Sequence, residues 1–230
     1  MTRIRHAVIL AAGRGQRLMP LTADRPKPMV RYRDSTLIAH SISKVRRHIE
    51  YLHVTVGYRG AMLAQHLIEL GVSSVFNTEG KTNSWWIHNT VLANIDEPLF
   101  VLTCDNVITL DFSLLERDYY DRGEPACMLV PVIPVPGLEG DYIVHENNSV
   151  TSISRSRPAA IYCSGIQVLN PHKVRSMTLD EGDFYSIWGQ LIERKQLMVS
   201  SVYPSEWFSV DTMADLDRLE VTKRTAPLSK

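Results

Sequence analysis

AVILAAGRGQR, at residues 7–17, joins an apolar run to a glycine-rich loop. Five consecutive apolar residues, 7–11, are typical of a strand that is buried on both faces of a parallel sheet. Gly13 and Gly15 then permit positive φ angles, so that the backbone can turn sharply and approach a ligand closely. The segment therefore predicts a buried strand that leads into a tight, ligand-facing loop.

Short apolar runs alternate with helical patterns through the rest of the first half. Ser35 is predicted to cap a helix whose apolar face is Ile38, Ile42, Val45 and Ile49. This alternation predicts an α/β fold with a doubly wound, mostly parallel (mixed) Rossmann-like sheet in an α/β/α sandwich. The further elements predicted there are strands at 52–56, 72–76 and 99–103, a helix at 61–70 that ends at Gly71, and a helix at 85–93.

The second half of the chain is predicted to be richer in strands and turns. Pro131, Pro134 and Pro136 indicate an irregular or edge region. Because no low-complexity linker divides the chain, we expect one domain, with a nucleotide-binding half at 1–122 and an acceptor-binding half at 123–230. The elements predicted here are strands at 126–135, 142–145, 150–154, 160–168 and 197–203, and helices at 184–194 and 213–222.

Composition argues against several classes of protein. The 25 basic and 25 acidic side chains balance, which gives no support to a general nucleic-acid binder. Three cysteines without a C-x-x-C pair argue against a disulfide framework or a zinc ribbon and favour a reducing, cytoplasmic location. The apolar run at 7–12 is too short for a secretory signal, and no run approaches transmembrane length. We therefore expect no nucleic-acid or membrane partner, whereas a homo-oligomer stays open.

The loop that follows the first strand offers several groups that bind anions. Backbone N–H groups in such loops form concave anion sites. Arg17 presents a forked donor that fits phosphate oxygens, and Lys27, between two prolines, presents a compact positive charge. The Walker A pattern is absent, and Leu18 stands where G-x-G-x-x-G needs its last glycine. These residues predict a cradle for a triphosphate, the alternative being a sharp turn with solvated arginines.

Residues 10–22, followed by PKP at 26–28, resemble the signature L-A-A-G-x-G-x-R-L-x-P-L-T and P-K-P of sugar-phosphate nucleotidylyltransferases. The resemblance implies that an NTP and a sugar 1-phosphate give a nucleotide sugar and pyrophosphate, in a pathway to cell-surface polysaccharide. It implies that Arg17 and Lys27 bind phosphates and stabilise the transition state. The residues that it implies in the nucleotide site are Leu10, Ala11, Ala12, Gly13, Arg14 and Gly15.

Two aspartates are the candidate ligands for Mg²⁺, which prefers one or two carboxylates together with substrate phosphates. Asp105 follows the strand predicted at 99–103, and LTCD resembles the family's strand that ends in a metal-binding aspartate. WFSVDT, at 207–212, resembles the family's W-[LF]-D-x-G-T, with Ser209 in place of the usual aspartate. We therefore predict Asp211 as the second ligand, and helix or turn capping is the alternative role of both aspartates.

The acceptor site is predicted from shorter matches. SGI at 164–166 keeps the glycine of the family's G-[IL]-Y segment, so Gly165 is predicted to contact the acceptor. Asn106, directly after Asp105 at the end of a predicted strand, is also predicted to contact it. Asn83, placed in the nucleotide site, belongs to a stretch that resembles choline-phosphate cytidylyltransferases instead. The alternative acceptor is therefore phosphocholine or another small alcohol phosphate. A catalytically silent nucleotide-binding regulatory subunit is the alternative of another class.

Two further features bear on the acceptor. Arg155 and Arg157 stand where many sugar enzymes carry E-K-P; they either favour an acceptor with extra negative charge or form a solvated turn. Tryptophan side chains either surround a quaternary amine through cation–π contacts or pack in the core. The tryptophans are Trp85, Trp86, Trp188 and Trp207.

Overall fold

The computed structural model describes residues 3–135 and 140–224. The strands in this part are β1 (His6–Ala11), β2 (Arg31–Tyr32), β3 (Ser35–Thr36), β4 (Tyr51–Val56), β5 (Ser74–Asn77), β6 (Leu99–Thr103), β7 (Asn106–Thr109), β8 (Cys127–Val132), β9 (Tyr142–Glu146), β10 (Ser149–Ser154), β11 (Ile161–Leu169), β12 (Leu197–Val199) and β13 (Glu206–Ser209). The helices are α1 (Leu37–Val45), α2 (Gly60–Glu69), α3 (Trp86–Asn89), α4 (Phe112–Asp121), α5 (Pro171–Met177), α6 (Phe184–Glu193) and α7 (Met213–Arg224).

A nine-stranded sheet in the order β5-β4-β1-β6-β11-β8-β12-β10-β9 runs through both predicted halves. Its first four strands are mutually parallel. Only β11 and β10 oppose the others, so seven of the nine strands share one direction. The predicted mixed, mostly parallel, Rossmann-like sheet is confirmed.

Helices cover both faces of this sheet. Ala7 and Ile9 of β1 pack into a core with α1, α2 and α4, whereas Val8 packs into a second core with α3, α5 and α6. Successive strand residues point to opposite faces, which explains why the run at 7–11 is apolar throughout. The structure is therefore the α/β/α sandwich that the sequence predicted.

Helix α1 begins one residue later than predicted. Its N-cap is Thr36, whose Oγ1 accepts the N–H of Ala39 at 3.3 Å. Ser35 is instead paired with Tyr32 in a short antiparallel ladder, so its backbone is already used in the turn before the helix. The α-helix ends at Val45, and a 3₁₀ turn follows at Arg46–His48.

The prediction of one continuous helix at 85–93 is wrong, because the helical backbone is interrupted at Thr90. This residue is extended, with φ −125° and ψ 171°, and its Oγ1 accepts the N–H of Leu92. A threonine that bonds to nearby backbone competes with helical hydrogen bonding. The result is α3 followed by a 3₁₀ turn at 91–94.

The strand predicted at 197–203 ends at Val199. This early end explains how a proline, Pro131, is tolerated in a strand inside the sheet. Ser200 N–H still donates to Leu129 O, but among the described residues β12 does not extend alongside Pro131. The N–H group that Pro131 lacks is therefore not needed for a hydrogen bond to β12. The edge position predicted from Pro131 is wrong, because β8 lies between β11 and β12 in the sheet. Pro134 follows the strand, and Pro136 lies outside the described residues.

Candidate active site

The glycine-rich loop opens onto a cleft of about 810 Å³ at the carboxyl end of β1. Gly15 has a left-handed backbone, with φ 69° and ψ 44°, as predicted. The same prediction for Gly13 is wrong, because its φ is not positive. A Cβ on Gly13 would nevertheless meet nothing within 4 Å, so the loop backbone is open to a ligand there.

Lys27 lies directly beneath this loop. A Cβ added to Gly15 would stand only 2.6 Å from the Cβ of Lys27. Pro26 precedes the 3₁₀ turn that carries Lys27, and Lys27 as a whole residue is 7% exposed. The absence of a side chain at Gly15 is therefore what lets a buried lysine reach the cleft.

Lys27 holds both predicted metal ligands. Its Nζ donates to Asp105 Oδ2 at 2.7 Å and to Asp211 Oδ1 at 2.9 Å. Burial lowers the pKa of Lys27, but the charges of the two carboxylates outweigh burial and raise it overall. Burial raises the pKa of Asp211, but Lys27, with help from Arg17 at 3.1 Å, lowers it overall. The three side chains therefore form a charged cluster.

Strands β7 and β13, which the sequence analysis missed, bring these aspartates together. They pair antiparallel, with Ser209 opposite Asn106. Val210 N–H then donates to Asp105 O at 3.0 Å. This ladder places Asp211 beside Asp105, although 105 residues separate them in the chain.

Asp215 fixes the backbone that carries Asp211. Its Oδ2 accepts the N–H groups of Asp211 at 3.2 Å and Thr212 at 2.8 Å. Thr212 Oγ1 in turn accepts the N–H of Asp215, which completes a capping arrangement at the start of α7. Thr212 and Asp215 therefore supply the capping contacts, and the Asp211 carboxylate faces the cleft.

The predicted nucleotide residues fall on the cleft wall with one exception. Ala11 lies behind the wall, 2% exposed, with its N–H donating to Thr55 Oγ1 at 3.2 Å. Arg14 lies over the ring of Tyr58, at 5.0 Å. The predicted residues that line the cleft are Leu10, Ala12, Gly13, Arg14, Gly15, Arg17, Lys27, Asn83, Asp105 and Asp211; the lining residues not singled out are Gln16, Thr55, Tyr58, Thr78, Glu79, Gly80, Lys81, Thr82, Thr103 and Cys104.

A second pocket, of about 250 Å³, adjoins the cleft and contains the predicted acceptor residues. Gly165 has φ 81°, and a Cβ there would stand 3.0 Å from Asn106 Nδ2. That nitrogen donates to Ser164 O, so Asn106 supports the irregular part of β11 that shapes the pocket. The lining residues common to pocket and cleft are Leu10, Asn83, Thr103, Asp105 and Asp211.

Arg155 does not offer an open anion site. Its Nε donates to Asp141 Oδ1 at 2.9 Å, and its guanidinium lies 3.6 Å from Asp183. The hydrogen bond and charge of Asp141 raise the pKa of Arg155. Arg157 is exposed in a bend, as the solvated-turn alternative predicted. The expectation of an acceptor with extra negative charge therefore has no support from Arg155.

The tryptophans divide between core and pocket. Trp86 is fully buried in the second core, and Trp85 lies beside Lys81. Trp188 and Trp207 line the second pocket, and their indole N–H groups donate to Gln167 Oε1 and Ser164 O.

Among residues 3–135 and 140–224, no helix combines the length and the apolar composition that a membrane span requires.

Residues 6–138 match the family model described as Nucleotidyl transferase. The chain belongs to this family. The resemblance inferred from the glycine-rich loop is thereby confirmed, as is the predicted class, a nucleotidyltransferase.

Two curated relatives are similar in sequence to this chain over most of its length. The mannose-1-phosphate guanylyltransferase catalytic subunit beta of Drosophila melanogaster is 26% identical over 195 residues, 77% of this chain and 53% of the relative. The mannose-1-phosphate guanyltransferase of Candida albicans is 28% identical over 209 residues, 83% and 57% of the two chains. The chain spans about half the length of the curated relatives it matches.

Solved structures share the fold of this chain over nearly all of its length. The inositol-1-phosphate CTP transferase from T. maritima has a TM-score of 0.77 at 18% identity, covering 100% of this chain and 99% of that one. The CTP:phosphocholine cytidylyltransferase from Streptococcus pneumoniae has a TM-score of 0.74 at 21% identity, covering 96% and 100%. At these identities the likeness concerns the fold.

Asp105 and Asp211 are the residues that the sequence predicted as metal ligands, and both lie on the cleft wall. Among the described residues, no cluster of three or more His, Cys, Asp and Glu side chains could hold a metal ion. Asp105 and Asp211 instead offer two carboxylates that already share one cation, the ammonium of Lys27. Two carboxylates are what Mg²⁺ commonly takes from a protein when phosphates complete its coordination.

Proposed function

We propose that this nucleotidyl transferase joins the nucleoside monophosphate of an NTP to a sugar 1-phosphate and releases pyrophosphate. The observation that carries the proposal is the position of the Asp105–Lys27–Asp211 cluster. Both aspartates line the large cleft and the small pocket, so the cluster lies where the two spaces meet. An NTP in the cleft and an acceptor phosphate in the pocket would have their reacting groups at this junction.

The reaction requires charge and positioning rather than a side-chain nucleophile. An oxygen of the acceptor phosphate forms a bond to the α-phosphorus, and the bond between that phosphorus and the bridging oxygen of the β-phosphate breaks. Lys27 and Arg17 supply positive charge beside the reacting phosphates, and both lie within 3.1 Å of Asp211. Loop N–H groups from Gly13 to Gln16 would bind the triphosphate.

We further propose that Asp105 and Asp211 hold Mg²⁺. The supporting observation is that both carboxylates bind one cationic group in the structure. The bound ion would supply charge neutralisation at the triphosphate. Asp215 would keep the Asp211 carboxylate in place through its bonds to the local backbone.

The acceptor has two candidates. A sugar 1-phosphate is supported by the names of the relatives, which are mannose-1-phosphate guanylyltransferases, and by a pocket of about 250 Å³. Phosphocholine is the second candidate, because aromatic side chains line the pocket and suit an ammonium group. These are Tyr162, Phe184, Trp188 and Trp207.

The product of the first candidate, a nucleotide sugar, would supply a glycosyl transfer of the kind that builds cell-surface polysaccharide. The cytoplasmic location expected from the sequence stays part of this proposal. Its support is that all three cysteines are free thiols. The alternative of a silent regulatory subunit is weakened by the common placement of Arg17, Lys27 and Asp105 on the cleft wall.

Pyrophosphate release tests this proposal. The protein is assayed with Mg²⁺, and separately with excess chelator, against ATP, CTP, GTP, TTP and UTP. The acceptors are mannose 1-phosphate, glucose 1-phosphate, inositol 1-phosphate and phosphocholine. We expect release that requires both Mg²⁺ and a sugar 1-phosphate. Release with phosphocholine alone would favour the second candidate, and nucleotide binding without release would favour the silent subunit.

A further inference from the structure

Gln167, in β11, is a buried amide on the wall of the acceptor pocket, with 3% exposure. Its Oε1 accepts the indole N–H of Trp188 at 3.1 Å and the S–H of Cys127 at 3.1 Å. An indole N–H can only donate, so the amide must present its oxygen to Trp188. The orientation of the side chain is therefore fixed.

This orientation leaves the amide nitrogen for a ligand. Within residues 3–135 and 140–224, Gln167 Nε2 has no hydrogen-bond partner, and the residue contacts the pocket. Because Gln167 lines the pocket, this nitrogen is available to donate a hydrogen bond to an oxygen atom of a bound acceptor. Gln167 also stands where the family's G-[IL]-Y segment has its tyrosine, so this chain differs from that segment by carrying an amide at the position.

The carboxylates around the pocket are already neutralised. Asp105 is paired with Lys27, and Asp211 with both Lys27 and Arg17. Asp141, the third carboxylate of the pocket lining, is paired with Arg155. The pocket therefore carries little net negative charge to attract an ammonium group.

We propose that Gln167 is a specificity-determining residue, which donates a hydrogen bond from Nε2 to an oxygen atom of the acceptor. The acceptor is then a hydroxyl-bearing phosphate, a sugar or polyol, in preference to a quaternary ammonium compound. A trimethylammonium group has no atom that accepts a hydrogen bond, and it would meet the positive end of the amide dipole. The inference rests on the proposed function, because it assumes that the small pocket holds the acceptor.

Calorimetric binding of acceptors to the whole protein tests the assignment without requiring turnover. The probes are mannose 1-phosphate, inositol 1-phosphate and phosphocholine, each titrated into wild type, Gln167→Met and Gln167→Glu. We expect wild type to bind at least one hydroxyl-bearing probe more tightly than phosphocholine. Gln167→Met should weaken that binding roughly tenfold, the loss expected for one buried hydrogen bond. Gln167→Glu should shift the preference toward phosphocholine.

Two controls separate this effect from damage to the fold. NTP affinity should be unchanged in both variants, because Gln167 is not among the residues that line the cleft. Gln196→Met removes a half-buried glutamine elsewhere in the chain, whose Oε1 accepts the N–H of Ala126 outside the pocket, and should leave acceptor binding unchanged.

The proposal is overturned if wild type prefers phosphocholine, if it binds neither hydroxyl-bearing probe, or if Gln167→Met binds them as wild type does. Pyrophosphate release is scored separately on the same samples. Acceptor binding that depends on Gln167, without any release, would refute the proposed transfer and leave the role of Gln167 standing.

Discussion

The ammonium of Lys27 lies between two carboxylates that would repel each other without it. The ammonium group has three donors, so it can bind both carboxylates at once. Lys27 is only 7% exposed, and burial strengthens the attraction between the charges. The same arrangement leaves a cation at the junction of cleft and pocket. Structure and proposed chemistry therefore depend on one side chain.

Lys27→Met is expected to lower kcat by about 10²–10³-fold, the loss seen when one preorganised charge donor is removed from a transition state. The pKa of Asp211 should rise, because Lys27 lowers it in the wild type. Pyrophosphate release measures the first effect. Lys173→Met, which removes a lysine near Glu124 outside the cleft, is the matched control. Unchanged kcat in a folded Lys27→Met protein would contradict the proposed role.

Gly15→Ala is expected to displace Lys27, because the new Cβ would lie 2.6 Å from its side chain. The positive φ adds a backbone cost of about 1 kcal/mol. Turnover should fall together with the free energy of unfolding. Gly123→Ala has a similar φ, 75°, with nothing within 4 Å of the added Cβ, and so should lose stability alone. Equal turnover in the two variants would show that Gly15 matters only for its backbone.

Among the elements, β1 could be predicted and the β7–β13 pair could not. The apolar run of β1 is buried on both faces, so its composition alone identifies it. Strands β7 and β13 have four residues each and pair across about a hundred positions. So short a segment has little periodicity, and pairing at that distance leaves no local signal. The sequence could therefore name Asp105 and Asp211 but could not predict their shared contact with Lys27.

Thr36→Ala is expected to lower the free energy of unfolding by about 1 kcal/mol, because it removes the cap of α1. Ser35→Ala removes the residue that the sequence favoured for this role and should change the stability by less than about 0.5 kcal/mol. Urea denaturation of both variants gives the comparison. A larger loss from Ser35→Ala would contradict the observed cap.

His53 links three neighbouring strands, with Nε2 3.0 Å from His6 Nδ1 and Nδ1 2.7 Å from Ser74 Oγ. Burial, with a smaller contribution from His6, lowers the pKa of His53 from 6.5 to about 4. The unfolded chain therefore binds the proton more readily between these values. The stability that neutral His53 contributes is complete above pH 6.5 and is lost as the pH falls toward 4.

The free energy of unfolding should accordingly decrease by on the order of 3 kcal/mol across this window. His53→Gln should flatten the dependence, whereas His145→Gln, at an exposed position of β9, should leave it unchanged. Chemical denaturation at a series of pH values gives the slopes. Equal slopes in wild type and His53→Gln would rule out His53 as the source.

Both halves of the chain contribute strands to one sheet. Strand β11, from the second half, pairs with β6 from the first, so we propose a single domain. The glycine-rich motif identified one contiguous part of the cleft wall, because seven of the 20 lining residues come from positions 10–17. The second pocket was harder to predict, because its wall combines β11 and α6 with the distant β13. Gln167 in particular is identified by its bond to Trp188, which no spacing in the sequence reveals.

We propose that the α-phosphorus of an NTP passes to an acceptor phosphate at the Asp105–Lys27–Asp211 cluster. The reaction is run with Mg²⁺, a sugar 1-phosphate and an NTP that carries a label at the α-phosphorus or, separately, at the γ-phosphorus. The labelled products are then identified. We predict that the α-label appears in a nucleotide sugar and the γ-label in pyrophosphate, and that Asp105→Asn abolishes both. An α-label that never leaves the nucleotide pool across all five NTPs and every acceptor would contradict the claim.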